Sequence, residues 1–144
     1  MSHTSFSKET FAAFKSLDRP GPVQLLNLIR LNEVAEYADG QTMCGYDAYE
    51  TYSRISAPVL ARLGGVITWR GRFDMAMIGP EDEAWDICFV AEYPSTNAFI
   101  ALMRDPTYRQ AAVHRQAAVA DSRLVSFAPM RLGTEFGERH LYGS

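Results

Sequence analysis

The sequence predicts an α+β fold: a four-stranded antiparallel sheet built from two successive strand–helix–strand units. Three observations carry the prediction. Two stretches, Val23 to Leu31 (VQLLNLIRL) and Trp85 to Tyr93 (WDICFVAEY), are apolar on both faces in their middles, as central strands covered on both sides are. Each is followed by an amphipathic helical pattern and then by a further strand. Gly65 to Gly79 alternates between an apolar and a polar face, the signature of a strand near a sheet edge.

At the N-terminus, Phe11, Phe14 and Leu17 fall at helical spacing after Ser7-Lys8-Glu9, so Ser7 to Leu17 reads as a short helix on the outside of the domain or against a partner subunit. Asp18-Arg19-Pro20-Gly21-Pro22 ends it. In the first strand Val23, Leu25, Asn27, Ile29 and Leu31 share one face. Asn27 is a polar side chain among apolar ones, and an unpaired amide there would cost about 1–3 kcal/mol. Its partner is expected to be backbone, ordered water or a ligand group.

Asn32 to Gly45 reads as a loop with a turn at Asp39-Gly40. Asp47 with Glu50 resembles a capping box and opens a helix that runs to Leu63. Tyr49, Tyr52, Ser56, Val59, Leu60 and Leu63 form its buried stripe, and Pro58 is expected to kink or break it. Gly64-Gly65 is the stop. On the alternating strand, Ile67, Trp69 and Phe73 are assigned to one face, and Val66, Thr68, Arg70 and Arg72 to the other, with a bulge or bend at Gly71.

In the second unit Ile87, Phe89, Ala91 and Tyr93 share a face opposite Cys88 and Val90. Pro94 stops this strand and Ser95 caps a short helix. Asp105-Pro106 starts another helix, an acid at the cap and proline at the first helical position. Tyr108, Ala112, Arg115 and Val119 share its apolar stripe. The last strand is expected from Arg123 to Met130, and the tail from Glu138 to Ser144 is expected to be loosely held. The chain thus divides into residues 1–21 (helix and linker), 22–130 (the α+β domain) and 131–144 (tail). Its order is βαββαβ with an extra N-terminal helix, the ferredoxin-like order.

The 144 residues predict one domain. A net charge of −3 lacks the basic signature of a nucleic-acid surface. No apolar run is long enough to span a bilayer, and the start lacks a signal-peptide pattern, so no membrane partner and a cytoplasmic location are expected. Cys44 and Cys88 stand outside any metal-ligand or CxxC spacing. No phosphate loop, nucleophile elbow or carboxylate pair occurs, so neither cofactor nor metal is expected.

Leu26-Asn27-Leu28, Tyr49 with Tyr52, Gly64-Gly65, Trp85-Asp86, Tyr93-Pro94-Ser95, Asp105-Pro106-x-Tyr108, His114-Arg115 and Asp121-Ser122-Arg123-Leu124 together resemble a small bacterial family. It is the family catalogued as domain of unknown function 1330, in the dimeric α/β-barrel superfamily, and the resemblance spans Pro22 to Phe127. It implies a homodimer whose two sheets close around an interior, and no assigned activity. A second copy would also cover the sheet face that the helices leave bare. The superfamily includes cofactor-free oxygenases, isomerases, lyases and haem enzymes. Its haem-degrading branch uses an asparagine, a tryptophan and a histidine; Asn27, Trp69 or Trp85, and His114 are the matching types here, at a different tryptophan-to-histidine spacing.

Two functions are consistent with these residues. In the first, a pocket for a small apolar or aromatic molecule is lined by Asn27, Trp69, Tyr108 and Arg115, with His114 as general acid or base. Arg115 would fix an anionic or carbonyl group. In the second, a non-catalytic assembly module, Arg115 snorkels or pairs with Asp86, Glu92 or Asp121 to pin helix to sheet, and His114 is a partly exposed helix residue.

Overall fold

The computed structural model describes residues 2–133 and 135–137. The chain forms α1 (Lys8–Lys15), β1 (Val23–Leu31), α2 (Gly45–Arg62), β2 (Val66–Gly71), β3 (Ile87–Tyr93), α3 (Thr96–Arg104), α4 (Pro106–Ala118) and β4 (Val119–Phe127). The four strands make one antiparallel sheet in the order β2-β3-β1-β4, the ferredoxin-like arrangement. The two strands that are apolar on both faces, β1 and β3, are its centre. The expected loose tail, Glu138 to Ser144, lies outside the described residues.

One face of the sheet carries the helices. Val23, Leu25 and Ile29 of β1, with Ala91 and Tyr93 of β3, pack there against Tyr49 and Val59 of α2, Phe99 and Leu102 of α3, and Tyr108 and Ala117 of α4. Val23 and Ile29 are wholly buried. The opposite face presents Leu26, Leu28, Val90, Val125 and Phe127, with no covering element among the described residues. On or bordering it, Val66, Trp69, Val125 and Phe127 keep 41–57% of their surface exposed.

Local chemistry sets the boundaries. Pro94 ends β3, and Ser95 Oγ accepts from Ala98 N at 3.1 Å to cap α3. Asp105 caps α4 by accepting from Tyr108 N at 3.0 Å, ahead of Pro106. Arg62, in the last turn of α2, donates to the other Asp105 oxygen at 2.6 Å and ties the two helices together. Gly64 takes the left-handed conformation that closes α2, with φ of 81°.

Several expected boundaries move. α2 begins at Gly45, not Asp47: Cys44 is the cap, its Sγ accepting from Asp47 N at 3.4 Å. The helix runs unbroken through Pro58. Pro58 and Arg54 lie on its exposed side, so water can reach the carbonyl that the proline leaves without a donor. β2 ends at Gly71, and residues 72–86 are irregular instead of extending the strand to Gly79. β4 starts at Val119, directly from α4, because Asp121 and Ser122 pair with Arg30 and Ile29 of β1, and it ends at Phe127, not Met130.

The N-terminal segment is fastened. Phe14 of α1 meets Phe99 of α3 edge-on at 5.4 Å. His3 N donates to Asp121 Oδ1 at 2.8 Å, and Ser122 Oγ donates to the His3 carbonyl at 2.7 Å. Burial alone would raise the Asp121 carboxyl, but hydrogen bonds from His3, Arg123 and Ser122 outweigh it and hold the group below its ordinary value. Among the described residues, no helix is long and apolar enough to cross a membrane.

Candidate functional site

A cleft of about 440 Å³ opens between α2 and the helix-bearing face of β2 and β3. Its sheet wall is Ile67, Arg70, Ile87, Phe89, Ala91 and Tyr93; its helix wall includes Tyr46, Tyr49, Tyr52, Ser53 and Ser56, with Leu102 and Tyr108 closing it. The helical period of α2 explains the wall: Tyr49, Tyr52 and Ser56 recur every three or four residues and face the sheet together.

Three tyrosines form a connected group. The rings of Tyr49 and Tyr52 are 5.2 Å apart and tilted, and those of Tyr52 and Tyr108 are 5.9 Å apart and edge-on. The Tyr52 and Tyr108 hydroxyls share a hydrogen bond of 2.9 Å. Burial pushes the Tyr49 phenol up to about 12, against a small opposing pull from Arg115. Burial likewise raises Tyr52 well above its ordinary value, with Tyr108 and Tyr49 adding to the effect, and raises Tyr93. The Tyr49, Tyr52 and Tyr93 hydroxyls are therefore protonated at neutral pH. They can donate hydrogen bonds to a carbonyl or phenol oxygen, and they are not bases there.

Of the residues singled out in the sequence, Tyr108 lines the cleft and the others do not. Asn27 lies on the helix-side face between Phe89 and Leu124, and its Nδ2 donates to the Leu25 carbonyl at 3.1 Å. Trp69 is on the other face. A bulge between Ile67 and Trp69 breaks the alternation, so Trp69 pairs with Val90 while Arg70 pairs with Phe89 and enters the cleft. The assignment of Ile67 and Trp69 to one face is corrected accordingly. His114 Nδ1 is 2.6 Å from the Tyr37 hydroxyl, joining α4 to the loop before α2.

Arg115 Nη1 donates to the Thr4 carbonyl at 2.9 Å, a neutral partner in place of the expected Asp86, Glu92 or Asp121. Asp121 instead meets Arg123 at 2.9 Å and Arg30 at 3.5 Å. Trp85 is buried beneath the Arg123 guanidinium, 5.1 Å from the ring centroid. Asn27, either tryptophan and His114 therefore do not converge on a common space. Among the described residues no group of three or more His, Cys, Asp or Glu side chains is placed to hold a metal ion.

Arg70, Phe89 and Tyr93 are cleft residues outside those the sequence singles out, and the sequence places Tyr49 and Tyr52 in the buried stripe of α2. Glycine at position 71 was a signal for a bulge in this strand, but not for its position or direction. The loop from Asn32 to Gly45 signals its turn at Asp39-Gly40, but nothing in it singles out Tyr37.

The family model for a domain of unknown function, DUF1330, matches residues 42–127. The chain belongs to this family. Two solved structures are similar over nearly the whole chain. One is the RPA0582 protein of unknown function from Rhodopseudomonas palustris, with 49% identity over 92% of this chain and 100% of that one and a TM-score of 0.89. The other is the methylated RPA0582 protein, with 50% identity over 92% of this chain and 98% of that one and a TM-score of 0.90. SnoaB, a cofactor-independent oxygenase from Streptomyces nogalater, is similar at 16% identity over 80% of this chain and 99% of that one, with a TM-score of 0.50, a likeness of fold. No curated protein matches the chain.

Proposed function

We propose that this DUF1330 protein binds a small apolar or aromatic molecule in the cleft between α2 and the sheet, within one subunit of a homodimer. The carrying observation is the Tyr52–Tyr108 hydroxyl pair set in a wall of aromatic rings. A mostly apolar cleft with a few convergent hydroxyls is the usual form of a small-molecule site. A tyrosine hydroxyl donates readily to a carbonyl or phenol oxygen, so the pair suits such a ligand better than a metal. Tyr49, Tyr52 and Tyr93, held protonated, serve the cleft as hydrogen-bond donors and not as bases, which suits binding of a ligand oxygen. 2-Naphthol serves as a probe. Amide shifts on titration should cluster at Tyr52, Ser56 and Phe89, and Tyr108→Phe should weaken binding about three- to tenfold, the worth of one neutral hydrogen bond. Shifts confined to the opposite sheet face would refute the assignment.

The homodimer rests on the uncovered sheet face, whose apolar residues form one contiguous patch around Val125 and Phe127. Sedimentation of the wild type at micromolar concentration should give a dimer, and Val125→Glu should give a folded monomer. A wild-type monomer would overturn this part.

A structural role is the better reading for Arg115, whose guanidinium holds the N-terminal segment by the Thr4 carbonyl. Arg115→Met should therefore loosen residues 3 and 4, seen as faster amide exchange at His3 and Ser122, and leave 2-naphthol affinity unchanged.

A further inference from the structure

The bulge in β2 has a chemical consequence. Strict alternation after Ile67 would put Trp69 in the cleft and Arg70 on the open face. The register shift between Ile67 and Trp69 exchanges them. Trp69 instead lies across Gly71, where an added Cβ would stand 2.5 Å from the indole. The exchange removes a large aromatic ring from an apolar cleft and supplies a guanidinium. Bulges commonly re-aim a side chain beside a site in this way.

The Arg70 guanidinium has no hydrogen-bond or ion-pair partner among the described residues. Glu50 borders the same cleft from α2 but does not pair with it. The other arginines that meet an acid do so elsewhere: Arg62 with Asp105, Arg123 with Glu83 and Asp121, Arg30 with Asp121. Arg70 is exposed at the rim, across the cleft from the tyrosine hydroxyls. A flat ligand lying along Phe89 could reach both.

We propose that Arg70 sets the specificity of the cleft for an aromatic carboxylate, the ring lying against Phe89 and the carboxylate taking the guanidinium fork. A planar guanidinium with two parallel N–H donors matches a carboxylate, and the bidentate pair is stronger and more directional than a neutral hydrogen bond. The proposal rests on the cleft being a binding site, as argued above.

The test compares 2-naphthoate with its neutral counterpart 2-naphthamide, by amide-shift titration at low ionic strength, where an exposed charge is least screened. Wild-type protein should bind the carboxylate about tenfold more tightly than the amide, and Arg70→Gln should abolish that preference, weakening the carboxylate several-fold more than the amide. Arg70→Lys should retain part of it, since the charge stays and the fork is lost. Unchanged far-UV circular dichroism is expected for both variants, whose substitution is at the rim. Equal affinity of the two probes for the wild type, or equal loss of both in Arg70→Gln, would overturn the assignment of Arg70 while leaving the cleft a site. Binding of neither probe, with 2-naphthol also failing, would refute the cleft itself and this proposal with it.

Discussion

The buried tyrosines make a sharp prediction for alkaline solution. In the native protein burial lifts the Tyr49 phenol from 10.0 to about 12, while in the unfolded chain it returns to its ordinary value. Between those two values the folded state keeps a proton that the unfolded state has released, so stability must fall as pH rises. The contribution is fully present below pH 10 and lost progressively by about pH 12. Two pH units at about 1.4 kcal/mol each make it about 3 kcal/mol for Tyr49 alone. Tyr52 and Tyr93 shift in the same direction and steepen the slope. Urea unfolding at pH 8, 9.5 and 11 should show a midpoint that holds between the first two and then drops. Phenolate absorbance at 295 nm after a rapid jump to pH 11 should show a fast exposed fraction and a slow fraction that follows unfolding. Tyr49→Phe should flatten the slope above pH 10. If native Tyr49 ionises near pH 10, or if stability is level from pH 10 to 12, the claim that these hydroxyls are sealed protonated donors is wrong.

Two further substitutions probe what holds the frame. Gly45→Ala sets helix propensity against space: alanine would favour the first turn of α2 by up to about 1 kcal/mol, but its Cβ would collide with the Asn32 carbonyl. That backbone cannot easily withdraw, because Asn32 N donates to Ala118 O at 2.8 Å and its side chain to Ala117 O at 3.2 Å. Overpacking of this kind costs about 1–3 kcal/mol or more, so the urea midpoint should fall, and a rise would show that the loop yields. Asp121→Asn removes the charge from the cluster joining His3, Arg30 and Arg123; with both arginines partly exposed, the loss should be about 1–2 kcal/mol at pH 7. Because the native carboxylate is held below its ordinary value, its contribution is present at neutral pH and disappears as pH falls below about 4. The gap in thermal midpoint between wild type and variant should therefore narrow in acid, and a gap independent of pH would point to packing alone.

What was legible in the sequence was whatever depends on neighbours along the chain. The faces of β1 and β3 follow from period-two alternation, and Asp105-Pro106 and Ser95 announce their helices because a cap acts within three residues. What was not legible depends on partners far away. Arg115 stands in an apolar stripe, and the sequence could say that it needed an acceptor, but not that the acceptor was a carbonyl 111 residues earlier. The same holds for Tyr37 and His114, 77 residues apart. The placing of Arg70 failed for a different reason. One extra residue in β2 inverts every side chain after it, and no composition rule fixes which residue is the extra one. The helix cap at Cys44 was masked by Asp47 and Glu50, a better capping pair by type that sits three residues too late.

The strand order also dictates when the molecule can come together during synthesis. β1, the first strand made, is flanked by the third and the last: Val23 lies beside Tyr93, and Gln24 beside Phe127. A nascent chain released only as far as α3 carries an apolar central strand with one edge unpaired, an invitation to neighbouring polypeptides on the same message. Assembly must wait for β4 to leave the ribosome. Added chaperone should accordingly raise the soluble yield of the newly made chain.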